Sequence, residues 1–176
     1  MKRKFYIDFG DSRDHSLDYL VGIMEDARVT TLQRAETLST EELHWQYKEG
    51  WNTIGALLAH IAAIEHDFRI EFVEGRPLTE EETERWLPAL DMGKLLPKLI
   101  TNDPIETYIA MLQESRQLML EALTDMTFED FAQRRPGYDP ETGCNLAWVI
   151  YHMAEDEIHH RGQISLIQKL YKEHLN

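Results

Sequence analysis

The sequence predicts an all-α fold: a four-helix bundle with short extra helices between the second and third long helices. Three observations carry that prediction. Four long segments repeat apolar residues at three- and four-residue steps, the period of an amphipathic helix. Helix-start signals and Gly- or Pro-containing turns separate those segments. No run of alternating β-branched residues suggests a sheet. At 176 residues the chain reads as one domain, residues 1–176, long enough to remove roughly two thirds of its unfolded surface from water.

In the first long segment Leu17, Leu20, Val21, Met24, Val29, Leu32 and Ala35 recur on one side, with charged residues between them. Ser39-Thr40-Glu41-Glu42-Leu43 follows. A serine three residues before a glutamate is a capping box, so a short helical turn should start there. The second long helix opens at Asn52 or Thr53, stacks Ile54, Leu57, Leu58, Ile61, Ile64 and Phe68, and ends at Gly75-Arg76-Pro77. Thr79 and Glu82 form another capping box, and Pro88, Gly93 and Pro97 limit residues Thr79 to Asn102 to short helices laid over the bundle. Asp103 as N-cap, Pro104 at N1 and Glu106 at N3 start the third helix. Ile105, Tyr108, Ile109, Leu112, Met119, Leu123 and Met126 face inward on it. Pro136-Gly137-Tyr138-Asp139-Pro140 is a turn-rich loop, after which the last helix runs from about Asn145 to Leu175.

Composition sets the partners to expect. The apolar fraction is 43% and the formal charge is −14. A field of that sign repels phosphate backbones and anionic lipid, so neither nucleic acid nor membrane is expected as a partner. The single cysteine, Cys144, excludes an intrachain disulfide and a cysteine-rich zinc site, and fits a reducing cytoplasm. The N-terminus, Met1-Lys2-Arg3-Lys4-Phe5-Tyr6-Ile7-Asp8, is basic, but Asp8 and Asp11 interrupt any apolar signal segment. No stretch reaches the ~18 apolar residues that span a bilayer. The expectation is a cytoplasmic protein with a small-molecule substrate.

The chemistry concentrates in Asp156-Glu157-Ile158-His159-His160-Arg161-Gly162-Gln163-Ile164. Stepping at about 100° per residue from His160, Met153, Ile164 and Ile167 fall within about 40° of it, so His160 lies on the buried stripe. Asp156 lies about 40° to one side, His152 about 80° and His159 about 100°. On the second helix His60 sits between Leu57 and Ile64, whereas Glu65 and His66 point away by more than roughly 100°. Packed helices lie ~8–10 Å apart. Two inward imidazoles and one carboxylate can therefore meet round a divalent ion at ~2.0–2.2 Å, leaving positions open as in catalytic sites. The plainer alternatives are a hydrogen-bonded core histidine at His60 and a helix-face hydrogen bond between Asp156 and His160.

No His-Glu-x-x-His motif, no Glu-x-x-His pair repeated on two helices, no Gly-rich phosphate loop and no Gly-x-Ser-x-Gly elbow is present. Cys144, near the start of the last helix, is better read as an ordinary small residue than as a reactive thiol. Trp45, Trp51, Trp86 and Trp148 are read as packing residues, with one or two available to line a pocket mouth.

Leu38-Ser39-Thr40-Glu41-Glu42-Leu43, Trp51-Asn52-Thr53-Ile54-Gly55-Ala56-Leu57-Leu58-Ala59-His60-Ile61 and His159-His160-Arg161-Gly162-Gln163-Ile164 together resemble the DinB/YfiT-like family. Those are bacterial four-helix bundles associated with DNA-damage or stress-induced genes. The resemblance implies a divalent metal, often nickel or zinc, held by one histidine of the second helix and two of the last, spaced i, i+4. His60 and His160 match directly; Asp156 stands where the family usually has histidine. It also implies a homodimer and, from some relatives, a transferase of low-molecular-weight thiols or a hydrolase. Two readings follow. One is a metal-dependent enzyme using His60, Asp156 and His160. The other is a non-catalytic, stress-associated binding module in which Asp156 has cost the metal.

Overall fold

The computed structural model describes residues 15–99, 101–135 and 143–175. The basic N-terminal run with Asp8 and Asp11, and the Pro136–Pro140 turn, lie outside the described residues. The described chain is mostly helical. In order it forms α1 (His15–Ala35), α2 (Thr40–His44), α3 (Ile54–Phe68), a π-helical turn (Arg69–Glu74), α4 (Glu80–Asp91), a 3₁₀ turn (Leu96–Leu99), α5 (Ile105–Leu123), α6 (Phe128–Ala132), two short strands β1 (Arg134–Arg135) and β2 (Cys144–Asn145), and α7 (Leu146–His174).

Capping chemistry sets most of these starts. Ser39 and Glu42 close the box at α2, Thr79 and Glu82 the one at α4, and Thr127 with Asp130 a third at α6. Thr53 and Asn145 each accept a backbone N–H, from Ala56 and Trp148 respectively, at the heads of α3 and α7. Gly75, at φ 68°, ends the π turn in the left-handed region that glycine adopts without a Cβ penalty.

Three expectations need correction. α4 is not broken by Pro88: it runs 12 residues, with the proline inside it. Pro88 stands one turn before the end, so little helix follows the missing N–H, and Met92, at φ 43°, closes it. At α5 the N-cap is Pro104 rather than Asp103. The Asp103 carboxylate is taken by the Thr101 hydroxyl at 2.6 Å and its carbonyl by His44 Nε2 at 3.0 Å, so it caps nothing. Finally, β1 and β2 pair antiparallel over two residues each, too short for any alternation to show in the sequence.

α3 is buried nearly all round: of its 15 residues only Ile64 and Asp67 are partly exposed. It packs against α5, α7 and α4, and its small residues Gly55, Ala56, Ala59, Ala62 and Ala63 let those neighbours approach. A Cβ at Gly55 would stand 2.8 Å from the Tyr108 hydroxyl and 3.3 Å from the Leu43 carbonyl, so this crossing needs glycine.

Buried apolar side chains form two clusters, one including Leu43, Leu58, Trp86, Leu112 and Ile164, the other Met24, Phe68, Met119, Phe131 and Ile150. Along every long helix a buried charge separates them. Arg28 follows Met24 on α1, Glu65 precedes Phe68 on α3, Arg116 lies between Leu112 and Met119 on α5, and Glu157 precedes Ile164 on α7. α1 and α7 thus pass from the second cluster to the first, and α3 and α5 the reverse. Residues 75–104, with α4 among them, carry the chain back between α3 and α5.

The four charges form a closed layer. Arg28 Nε donates to Glu157 Oε1 at 3.0 Å and its Nη2 to Glu65 Oε2 at 2.7 Å. Arg116 Nε reaches Glu65 Oε1 at 2.5 Å and its Nη2 faces Glu157 Oε2 at 3.4 Å. Arg28 also donates to the Leu112 carbonyl, and Arg116 to the Met24 carbonyl at 3.0 Å. The two buried positive and two buried negative groups cancel, and a partly exposed Glu25 adds a carboxylate 2.7 Å from Arg116. The guanidinium forks meet carboxylates and carbonyls, which is what burial of ions demands.

Candidate metal centre

One turn from that layer, on the side of the first cluster, the structure brings His60 of α3 together with Asp156 and His160 of α7. One ligand atom from each lies within 4.8 Å of both others. Asp156 Oδ1 is 3.2 Å from His160 Nε2, and its Oδ2 is 3.8 Å from His60 Nε2. The two imidazole rings meet edge to face, their centroids 4.8 Å apart. Donors held at about 2.1 Å round one tetrahedral ion lie about 3.4 Å apart, so these spacings are close to what an ion requires.

The far side of each ring is fixed. His60 Nδ1 is 2.7 Å from the Ala89 carbonyl, which can only accept, so the proton sits on Nδ1 and Nε2 presents a lone pair to the site. His160 Nδ1 is 2.9 Å from Gln163 Oε1, which accepts its N–H and turns Nε2 towards Asp156. Ligating histidines characteristically donate their other N–H to a carbonyl or carboxylate, which fixes tautomer and ring angle. The donor set therefore fits a divalent ion.

Electrostatics separate the two histidines. Burial, helped by the neighbouring His160 and opposed by the Ala89 carbonyl and Asp156, lowers the pKa of His60 and keeps it neutral. For His160 burial pulls down, but the Asp156 carboxylate and Gln163 outweigh it and the pKa rises. For Asp156 burial pulls up, yet the hydrogen bond and charge of His160, with His60 and His152 behind it, win, and the carboxylate pKa falls. Asp156 and His160 thus favour each other's charged forms across 3.2 Å.

The remaining residues of the run have separate tasks. Arg161 donates to the Ala27 carbonyl at 3.2 Å and to the Thr30 hydroxyl, fastening α7 to α1. Gln163 Nε2 lies 2.9 Å from His159 Nε2, on the exposed side of His160. His152 lies outside the group of His60, Asp156 and His160: it stacks on Trp148 with centroids 4.7 Å apart and bonds Glu155 at 3.2 Å. Cys144 is buried in the second cluster. Trp86 is buried and Trp45 partly so, whereas Trp51 and Trp148 are exposed.

Sequence reasoning missed Arg28, Glu65, Arg116 and Glu157, and Glu65 with His66 was expected to point away from the interior. Both are buried because α3 is covered on all sides. The signal was available: each of the four charges stands three or four residues from apolar positions on the inward stripe of its helix. The supports of the two imidazoles, Gln163 and the Ala89 carbonyl, were likewise not anticipated.

The sequence pattern of the DinB superfamily matches residues 23–164. The chain belongs to the DinB superfamily. No curated protein matches it. Among solved structures it is similar to the colibactin self-resistance protein ClbS, in complex with a dsDNA, at 12% sequence identity and a TM-score of 0.62. That alignment covers 88% of this chain and 95% of the other.

That likeness overturns the exclusion of nucleic acid drawn from net charge. Net charge sums over the whole chain, whereas a phosphate backbone responds to local fields. Here a groove between α1 and α7 is lined by Thr30, Gln33, Arg34, Arg161, Gln168 and Lys172, three cations and no acid. An acidic total therefore does not rule out a nucleic-acid partner. Among the described residues no helix is long and apolar enough to cross a membrane.

Proposed function

We propose that this protein is a metal-dependent enzyme that holds one divalent ion, of the nickel or zinc kind, through His60 Nε2, His160 Nε2 and a carboxylate oxygen of Asp156. The observation that carries the reading is the direction of the rings. Both Nδ1 atoms are committed to fixed acceptors, and both Nε2 atoms face the same carboxylate. A core histidine needs only one satisfied nitrogen; two rings turned this way are arranged for a common guest. When bound, the ion supplies Lewis acidity that lowers the pKa of a water or thiol, which is the chemistry of a hydrolase or a low-molecular-weight-thiol transferase. His60, kept neutral by burial, is available as a ligand without losing a proton. His160 would hold the ion through Nε2 in its neutral form, the ion taking the place of any proton between it and Asp156. The Ala89 carbonyl and Gln163 keep the rings from turning away. We further read the chain as one four-helix bundle domain, since a single charged layer draws one residue from each long helix.

The test is metal content after purification without an affinity tag, followed by calorimetric titration of the stripped protein. About one equivalent should bind, and His60→Ala or His160→Ala should abolish it. Absence of metal together with no binding above micromolar affinity refutes the reading.

A second reading has its own observation. At 3.2 Å, Asp156 Oδ1 and His160 Nε2 already satisfy each other, as a metal-free binding module would require. Its partner would then be double-stranded nucleic acid, since the structurally similar ClbS was solved with a dsDNA. This reading predicts dsDNA binding that is indifferent to chelators and to His60→Ala.

A further inference from the structure

We propose that Asp156 sets which ions the site accepts, raising affinity for hard, oxygen-seeking divalent ions relative to softer, nitrogen-seeking ones. The inference rests on the metal-binding reading above and adds what the carboxylate does within it. Two neutral imidazoles and one carboxylate make a mixed donor set. Imidazole suits nickel, copper and zinc, whereas carboxylate oxygen suits manganese, magnesium and calcium.

The structure makes the carboxylate central. Its two oxygens face different rings, Oδ1 towards His160 at 3.2 Å and Oδ2 towards His60 at 3.8 Å, so its charge lies between the nitrogens. Neither ring can exchange its ligating nitrogen for the other, because the Nδ1 atoms are held by Ala89 and Gln163. The nearby guanidiniums of Arg28 and Arg116 are occupied by Glu65 and Glu157, so they are not the partners of Asp156. The charge of Asp156 is consequently turned to the two imidazoles, between which an ion would sit.

Divalent affinities rise from manganese to nickel at almost any site of this kind, so the informative quantity is a ratio rather than a rank. Mn(II) and Ni(II) serve as probes on the metal-stripped full chain. Free Mn(II) is followed by electron paramagnetic resonance and Ni(II) by calorimetry. The ratio of the Mn(II) to the Ni(II) dissociation constant should increase by about tenfold or more in Asp156→His, because an anionic oxygen is exchanged for a neutral nitrogen. Asp156→Asn keeps an oxygen and the shape while removing the charge; it should weaken Mn(II) several-fold more than Ni(II). Circular dichroism confirms that each variant is folded, and the asparagine variant carries the test if the histidine variant is not. A ratio unchanged by both substitutions, with wild-type protein binding both ions, overturns the selectivity role and leaves the metal site standing. Failure of wild-type protein to bind either ion removes the site itself, and the inference with it.

Discussion

Replacing Glu65 with leucine tests the charged layer at its most connected member. The carboxylate is 2% exposed and accepts from Arg116 at 2.5 Å, Arg28 at 2.7 Å and Ser115 at 3.3 Å. Leucine fills similar space but leaves two buried guanidiniums with one buried carboxylate, Glu157, since the other carboxylate on Arg116, Glu25 at 2.7 Å, is itself partly exposed. Removing one partner of a buried ion pair costs about 3–5 kcal/mol. For a chain of this size each kcal/mol lowers Tm by ~2–4 °C, so a drop of roughly 6–20 °C is expected. Urea denaturation followed by circular dichroism at neutral pH gives the free energy directly. The double variant Arg28→Met/Glu65→Leu restores neutrality, with Arg116 and Glu157 still paired, and should cost clearly less than the sum of its singles. The pH dependence supplies a second readout. For Glu65 burial pushes the pKa up, but Arg116 and Arg28 outweigh it and hold it below its ordinary value of 4.5. A depressed folded pKa contributes stability that is fully present above that ordinary value and is lost as pH falls through the folded one. Wild-type protein should therefore lose stability more steeply than Glu65→Leu as pH drops below about 4.5. A single variant within 1 kcal/mol of wild type, or additive singles and double, would refute the closed-layer account.

Three further outcomes can be checked alongside it. Gly55→Ala pushes a methyl into the Tyr108 hydroxyl and towards the Leu43 carbonyl; overpacking of this kind costs about 1–3 kcal/mol by urea denaturation. Gln163→Ala removes the acceptor of His160 Nδ1 and, where an ion binds as proposed, should weaken it about 10–100-fold by titration without unfolding the protein. Asn145→Ala deletes the side-chain cap on the Trp148 N–H and should lower stability by about 1 kcal/mol, with Asn145→Asp close to neutral.

The legible parts of the fold are those encoded locally. Three- and four-residue spacing located the long helices, and the Ser39–Glu42 and Thr79–Glu82 boxes are formed as read, because a cap needs only residues within one turn. What failed depends on neighbours. Asp103 has the chemistry of a cap, but Thr101 and His44 claim it, and neither contact is visible in the helix-start pattern. Glu65 and His66 look outward on an isolated α3, yet α4, α5 and α7 cover every side of it. The juxtaposition of His60, Asp156 and His160 was legible for the opposite reason: α3 and α7 each present their site residues within a turn, and the two helices pack together. Which atoms of those rings face inward was not, since that depends on Ala89 and Gln163.

Asp156 and Glu157 show why the charged layer belongs in any account of the site. The two acids are consecutive on α7 and therefore about 100° apart round the helix axis. Glu157 turns to Arg28 and Arg116, and Asp156 turns to His60 and His160. Without Glu157 and Glu65, two buried guanidiniums one turn away would have no carboxylate partners in the layer, and Asp156 would be a nearby acid able to supply one. A buried arginine is the stronger claimant, because its guanidinium stays charged and offers a planar fork where an imidazole offers one nitrogen. By pairing with both arginines, Glu65 and Glu157 leave Asp156 to the two imidazoles. The same layer fixes the rotation of α7 against α1, α3 and α5, and thereby the direction in which Asp156 and His160 point.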